Sequence, residues 1–209
     1  MEESFRLTIT AFNAAEESIS PVILLADAFL SHLYEMVDLD AIEMKVVPRT
    51  KEPLGKGRRL FTGTAHDRMG NVKTNDPVAY REWLNDLKER HLKIADQYPL
   101  FEYITRKGSE TLLIAFGITS RIISPLKEQL SIFRPIRIYP VLEKELKEIA
   151  ASYHHIIVVE GNDGQYASWV EWAIGRKVMR VACLGGGFKL QWIQSQIEER
   201  LKEDDRPVL

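Results

Sequence analysis

One cysteine stands among the 209 residues. With Cys183 alone, no internal disulfide and no Cys-x-x-Cys metal site can form. An iron–sulfur cluster takes about four thiolates, so this chain does not hold one unaided. Cys183 closes the apolar stretch VMRVAC, and a buried core thiol is its plain reading. Charge of one sign is missing too: 28 Lys and Arg against 30 Asp and Glu leave a net charge of −2. No basic field points to nucleic acid, and no Lys/Arg cluster points to a membrane surface. Long apolar runs are absent; none approaches the ~20 residues of a transmembrane helix. The first residues, MEESFRLT, are acidic and carry no signal-peptide core. A cytoplasmic protein is therefore expected. Internal repeats and low-complexity segments are also lacking, and the 45% hydrophobic content is enough for a packed core.

What is present divides into three textures. From residue 1 to 37, Phe5, Ile9, Phe12 and Ile19 fall at helical spacing. Ser20-Pro21 punctuates, and Val22 to Leu25 reads as a short buried strand with Asp27 at its C-terminal edge. A second short helix follows towards Leu33. From 38 to 107 the chain opens with VVPRTKEPLGKGRRLFTGTAHDRMGN, irregular and basic. Asp76-Pro77 then supplies a cap and a first helical position. Tyr80, Leu84, Leu87, His91, Ile94 and Tyr98 alternate steps of four and three, predicting one long amphipathic helix. From 108 to 209 the pattern is regular, with strands predicted at 111–116, 136–139, 156–160 and 178–183 and helical stripes between them. Such alternation implies an α/β fold with a parallel sheet and right-handed crossovers. Pro125 lets the first helix of this region start at Ser124, or earlier with a kink. The last residues, EDDRPVL, are expected to fray.

Several groups invite a chemical reading, each with a structural alternative. Glu160-Gly161-Asn162-Asp163-Gly164-Gln165 sits at the end of a predicted parallel strand and the start of a helix, where open α/β sheets bind ligands and N–H groups favour an anion. The same residues fit a cap, with Asn162 or Asp163 on the helix and Glu160 on the turn. In Thr62-Gly63-Thr64-Ala65-His66-Asp67-Arg68-Met69-Gly70, His66 and Asp67 are the candidates for proton transfer, against a glycine-shaped loop of hydrogen-bonded polar residues. Asp27 and His32 lack a third ligand, so no metal is assigned. Gly185-Gly186-Gly187 lacks the spacing of a phosphate loop and reads as a turn. His154-His155 reads as a turn, His91 as a packing residue, and the four tryptophans as core or interface.

Taken in order, PVILLADAFLSH (Asp27, Leu30, His32), TGTAHDRMG (Thr62, Gly63, His66, Asp67, Gly70), NVKTNDPVAYREW, LLIAFGITSR and VVEGNDGQ (Glu160, Asn162, Gly164, Gln165) resemble the alpha subunit of 2-oxoacid:ferredoxin oxidoreductases, the 2-oxoglutarate branch in particular, in its C-terminal part. The resemblance implies a C-terminal fragment of a pyrimidine-binding-type α/β domain over 1–37, a linker with a long helix over 38–107, and a transketolase C-terminal-like domain over 108–209. It also implies thiamine diphosphate, an iron–sulfur cluster and coenzyme A in a complex with a beta subunit and ferredoxin. A YPITP-type segment and the cofactor-activating glutamate of such subunits have no counterpart here. A shortened or split subunit, inactive alone, is therefore expected, with Asp27, His32, Thr62, Gly63, Gly70 and the Glu160–Gln165 turn as interface or anion-site candidates. The rival expectation is a stand-alone anion- or nucleotide-binding or assembly module of the same fold.

Overall fold

The computed structural model describes residues 1–49, 53, 63–67, 69–185 and 188–204. In chain order its elements are α1 (Glu2–Ser18), α2 (Ala28–Ser31), α3 (Pro77–Gln97), β1 (Phe101–Ile104), β2 (Thr111–Ala115), α4 (Gly117–Ile123), a 3-10 turn (Ser124–Glu128), β3 (Ser131–Pro135), α5 (Glu143–Ala150), β4 (His155–Glu160), α6 (Gln165–Ile174), β5 (Met179–Ala182) and α7 (Leu190–Asp204). They form two units: Met1–Leu25 with His32–Tyr98, and Ala26–Ser31 with Pro99–Leu209.

The first unit is helical. Asp76 caps α3 as its sequence announces: one carboxylate oxygen accepts the N–H groups of Val78 and Ala79 at 3.0 and 3.1 Å, with Pro77 in the first turn. This satisfies two donors that a helix start leaves without partners. Along the predicted stripe, Leu84, Leu87, His91, Ile94 and Tyr98 are half-buried and Tyr80 is exposed. Two polar contacts fasten α1 to α3: Ser20 Oγ lies 2.6 Å from His91 Nε2, and Tyr98 OH donates to Glu17 at 3.0 Å. Buried Asn13 pins residues 45–47, donating to Lys45 O at 2.7 Å and accepting from Val47 N at 2.9 Å.

Val22 to Leu25 departs from its sequence reading. The four residues form no strand and are 44%, 80%, 47% and 76% exposed. A strand needs a neighbour to take its backbone hydrogen bonds. Among the described residues of this unit there is none, only an isolated bridge between His66 and Val72.

The second unit is an α/β layer structure around a five-stranded sheet in the order β1-β3-β2-β4-β5. β3, β2, β4 and β5 run parallel, and β1 pairs with β3 antiparallel. Every residue of β2 and β4 is buried, which is why both read as unbroken apolar runs. Leu112, Ile114, Ile156 and Val158 face Leu142, Leu146, Tyr166 and Val170 from the α5–α6 side. Leu113, Ala115, Ile157 and Val159 face Ile123, Ile193 and Ile197 from the α4–α7 side.

Two details correct the sequence reading, and a third decides between two starts it left open. The second strand of the regular region is β3 at Ser131–Pro135, not 136–139: just past Pro135 the N–H groups of Ile136 and Arg137 both donate to Leu100 O, at 3.0 and 2.9 Å, and the strand pairing ends. The antiparallel edge strand β1 is an addition. The first helix of this region starts early, at Gly117, and Pro125 converts its continuation into the 3-10 turn. Gly186, Gly187 and residues 205–209 lie outside the described residues.

Candidate functional site

The crossover to one side of β2 leads to β3 and the next, to the other side, leads to β4. The C-terminal ends of β2 and β4 therefore border the place where strand order reverses, the usual binding crevice of an open parallel sheet. Two turns line it: Phe116-Gly117 after β2 and Gly161–Gly164 after β4.

The turn after β4 is built from the candidates that the sequence singles out. Glu160 is 1% exposed. Its two carboxylate oxygens accept the N–H groups of Tyr166 and Ala167, each at 3.0 Å. Asn162 Oδ1 accepts those of Gly164 and Gln165 at 3.1 and 3.0 Å. Gly164 has φ 89°, a left-handed conformation that glycine adopts at little cost. The first donors of α6 are thus occupied by the chain's own oxygens, and the geometry is that of a cap. Just inside, the Tyr166 hydroxyl is buried without a hydrogen-bond partner among the described residues, and burial raises it above the ordinary tyrosine range.

The turn after β2 receives a residue from far upstream. Asp27 Oδ2 accepts the N–H of Ile118 at 2.8 Å, and its Oδ1 accepts that of Leu30 at 2.9 Å. Gly117 has φ 57°, and a Cβ there would stand 3.0 Å from Asp27 Oδ2, so close approach and backbone conformation both call for glycine. Two residues on, the Phe29 ring packs 5.4 Å from that of Phe188, whose edge lies against Gly161. Ala26–Ser31 therefore reaches both turns: the first through a carboxylate, the second through a pair of rings.

The remaining candidates belong to the first unit. His32 is exposed there, whereas Asp27 is grouped with the second unit. Gly63, His66, Asp67 and Gly70 also belong to the first unit; Thr62 and Arg68 lie outside the described residues. His66 Nδ1 is 2.7 Å from Thr64 O; a carbonyl only accepts, so Nδ1 carries the proton and Nε2 is the basic nitrogen. The ring lies edge-on to Trp83 at 6.2 Å. Asp67 serves other partners. Its oxygens accept from Met69 N, Asn71 N and the Asn71 side chain at 2.9 to 3.3 Å. The side-chain bond from Asn71, then its backbone N–H, hold this carboxyl below its usual range. His66 and Asp67 thus shape a turn, closed by Lys73 N on Ala65 O at 2.8 Å and by Gly70 at φ 85°.

Residues 1–102 match the family described as "Pyruvate flavodoxin/ferredoxin oxidoreductase, thiamine diP-bdg". The chain is 26% identical to the ketoisovalerate oxidoreductase subunit VorB of Methanothermobacter marburgensis, over 95% of this chain and 58% of that one. It is 26% identical to the 2-oxoglutarate synthase subunit KorA of Archaeoglobus fulgidus, over 88% and 54%. The chain is thus similar to subunits of 2-oxoacid:ferredoxin oxidoreductases. A solved structure of the 2-oxoglutarate:ferredoxin oxidoreductase from Magnetococcus marinus, with 2-oxoglutarate, coenzyme A and succinyl-CoA bound, shares the fold. Its TM-score is 0.81 at 18% identity, over 96% of this chain and 41% of that one. The chain thus spans little more than half the length of the curated relatives named here.

Sequence reasoning missed Gly117, Phe29 and Phe188. The Ala-Phe-Gly that ends β2 is a signal for the first. Nothing local announces the ring pair.

Proposed function

We propose that this chain is part of the alpha subunit of a thiamine-diphosphate-dependent 2-oxoacid:ferredoxin oxidoreductase. Such an enzyme oxidatively decarboxylates a 2-oxoacid such as 2-oxoglutarate to an acyl-CoA and reduces ferredoxin. The supporting observation is the match of residues 1–102 to a thiamine-diphosphate-binding family in a segment whose described residues before Phe101 contain no strand. In the first unit the buried polar residues are Asn13 and Ser18, and no described carboxylate there is buried. The single thiol, 1% exposed, does not fit an iron–sulfur cluster. Cofactor chemistry and electron transfer are assigned to polypeptide other than the residues described here, above all a beta subunit, as cofactor enzymes divide such labour between chemistry and positioning.

In this reading, residues 1–37 are the end of a pyrimidine-side domain, 38–107 a linker and 108–209 a transketolase C-terminal-like domain. The exposed run Val22–Leu25 supports an interface role, since contiguous apolar surface on a soluble protein marks a contact site. The His66 turn and the edge between β2 and β4 supply interface or substrate- and coenzyme-A-proximal elements. The stand-alone anion-binding alternative has less support, because an anion at the start of α6 must displace Glu160 and Asn162.

The test is purification from native lysate followed by an assay of 2-oxoacid-dependent ferredoxin reduction. A thiamine-binding, cysteine-rich partner and activity confined to the complex are expected. Turnover by the isolated chain with thiamine diphosphate, 2-oxoglutarate and coenzyme A overturns the proposal, as does recovery of the chain with no partner.

A further inference from the structure

We infer that His154, His155 and Asp204 form a site for one divalent transition-metal ion of the zinc class. The site lies at the end of β4 away from Glu160, and the inference is independent of the oxidoreductase reading. One ligand atom from each of the three residues falls within 4.8 Å of the other two. One pair, His155 Nδ1 and Asp204 Oδ2, is 3.0 Å apart. Two donors bound tetrahedrally to one zinc ion at about 2.0–2.1 Å stand roughly 3.3 Å from each other, so this pair needs to move only slightly.

The histidines are presented in an unusual way. Neighbouring residues of a strand point to opposite faces. Here His154 lies in the bend before β4 and His155 is its first residue, and their rings meet edge-on with centroids 4.5 Å apart. Both backbone N–H groups donate to the carbonyl of Glu110 at 3.0 Å, which fixes the pair's backbone. His155 is 7% exposed, so its ring is already held in place and partly desolvated. Asp204, with a side chain 53% exposed, has room to adjust. It comes from the final turn of α7, where the carbonyl dipoles add negative potential and favour a cation.

An ordinary ion pair between His155 and Asp204 accounts for one histidine and leaves the second ring with no electrostatic role. A divalent ion takes a lone pair from each neutral ring and the carboxylate charge together. Two imidazoles and one carboxylate match zinc, cobalt(II) or nickel(II), while calcium and magnesium prefer oxygen donors. Three protein ligands leave a fourth position to water, the composition of an open site. Bound there, the ion fastens the end of α7 to the start of β4.

The test uses the full chain stripped of metal and titrated with Co2+ and Zn2+. Expected are one ion per chain, the visible absorption of tetrahedral cobalt, and a melting temperature raised by Zn2+. His154→Ala alters an exposed side chain, and metal-free circular dichroism and melting serve to verify that its fold is intact. His154→Ala and Asp204→Asn should each weaken uptake at least about tenfold, a loss of about 1.4 kcal/mol, and abolish the zinc-dependent melting shift. His32→Ala, at an exposed histidine of the first unit, should change neither. No stoichiometric uptake, or uptake that survives His154→Ala or Asp204→Asn at undiminished affinity, overturns the inference.

Discussion

The Asp27 carboxylate accepts the N–H of Ile118 across 91 positions of sequence. This bond, with the one from Leu30, holds Ala26–Ser31 on the turn after β2. Replacing Asp27 by Ala removes a charged acceptor shared by two backbone donors, and a loss of about 1.5–3 kcal/mol is expected for this attachment. Amide hydrogen exchange gives the readout. Leu30 and Ile118 should exchange faster in the variant while Tyr166 and Ala167, bonded to Glu160, keep their protection. An Ile118 amide that exchanges at its original rate in Asp27→Ala counts against the bond.

Gly117 makes that approach possible. Gly117→Ala places a Cβ 3.0 Å from the Asp27 oxygen at a backbone φ of 57°. The conformational part costs about 1–2 kcal/mol in any context, whereas the steric part depends on Asp27. In a double-mutant cycle the Gly117→Ala penalty should therefore shrink when Asp27 is already Ala. Equal penalties in both backgrounds would show that the two residues do not touch.

Glu160 is a buried carboxylate whose two oxygens each meet one backbone donor. Glu160→Gln keeps the volume but turns an amide NH2 towards one of those N–H groups. A loss of about 1–3 kcal/mol is expected in urea unfolding, with Glu160→Ala at least as costly because it leaves two buried donors without partners. If both variants match the wild-type midpoint, the cap contributes nothing to stability.

These contacts differ in how far they show in the sequence, and the difference is one of range. Asp76-Pro77 and Glu160-x-Asn162 act on donors two to seven residues away, so reading their neighbourhood is enough. The unbroken apolar runs of β2 and β4 are legible because each strand is covered on both faces. β1 hid because four residues, FEYI, leave little pattern to read, and only pairing with Ile132–Pro135 makes them a strand. Val22–Leu25 misled for the converse reason: its composition is that of a strand, but no described neighbour supplies the ladder. Asp27 was marked as a candidate without its partner, since no local rule reaches Ile118.

His91 gives the first unit a dependence on acidity. Burial, then the nearby Arg90 guanidinium, hold its imidazole below the ordinary histidine value, and its Nε2 meets Ser20 Oγ. Because the folded-state value is the lower one, the neutral ring's contribution is fully present above the unfolded value of about 6.5 and is lost as pH falls towards the folded one. Urea unfolding should therefore show a lower midpoint at pH 5.5 than at pH 7.5, and His91→Gln should reduce the difference. A difference of the same size in that variant would assign it to other groups.

Cys183 is 1% exposed, and burial raises its thiol to about 11. At neutral pH the native thiol is thus both shielded from reagents and almost wholly in its unreactive form. Its backbone N–H is bonded to Glu160 O at 2.8 Å beside the central strands, so it is exposed only when that part of the sheet opens. Alkylation of the chain's single thiol is therefore a clock for that opening, counted at one mass increment per molecule with no engineered label.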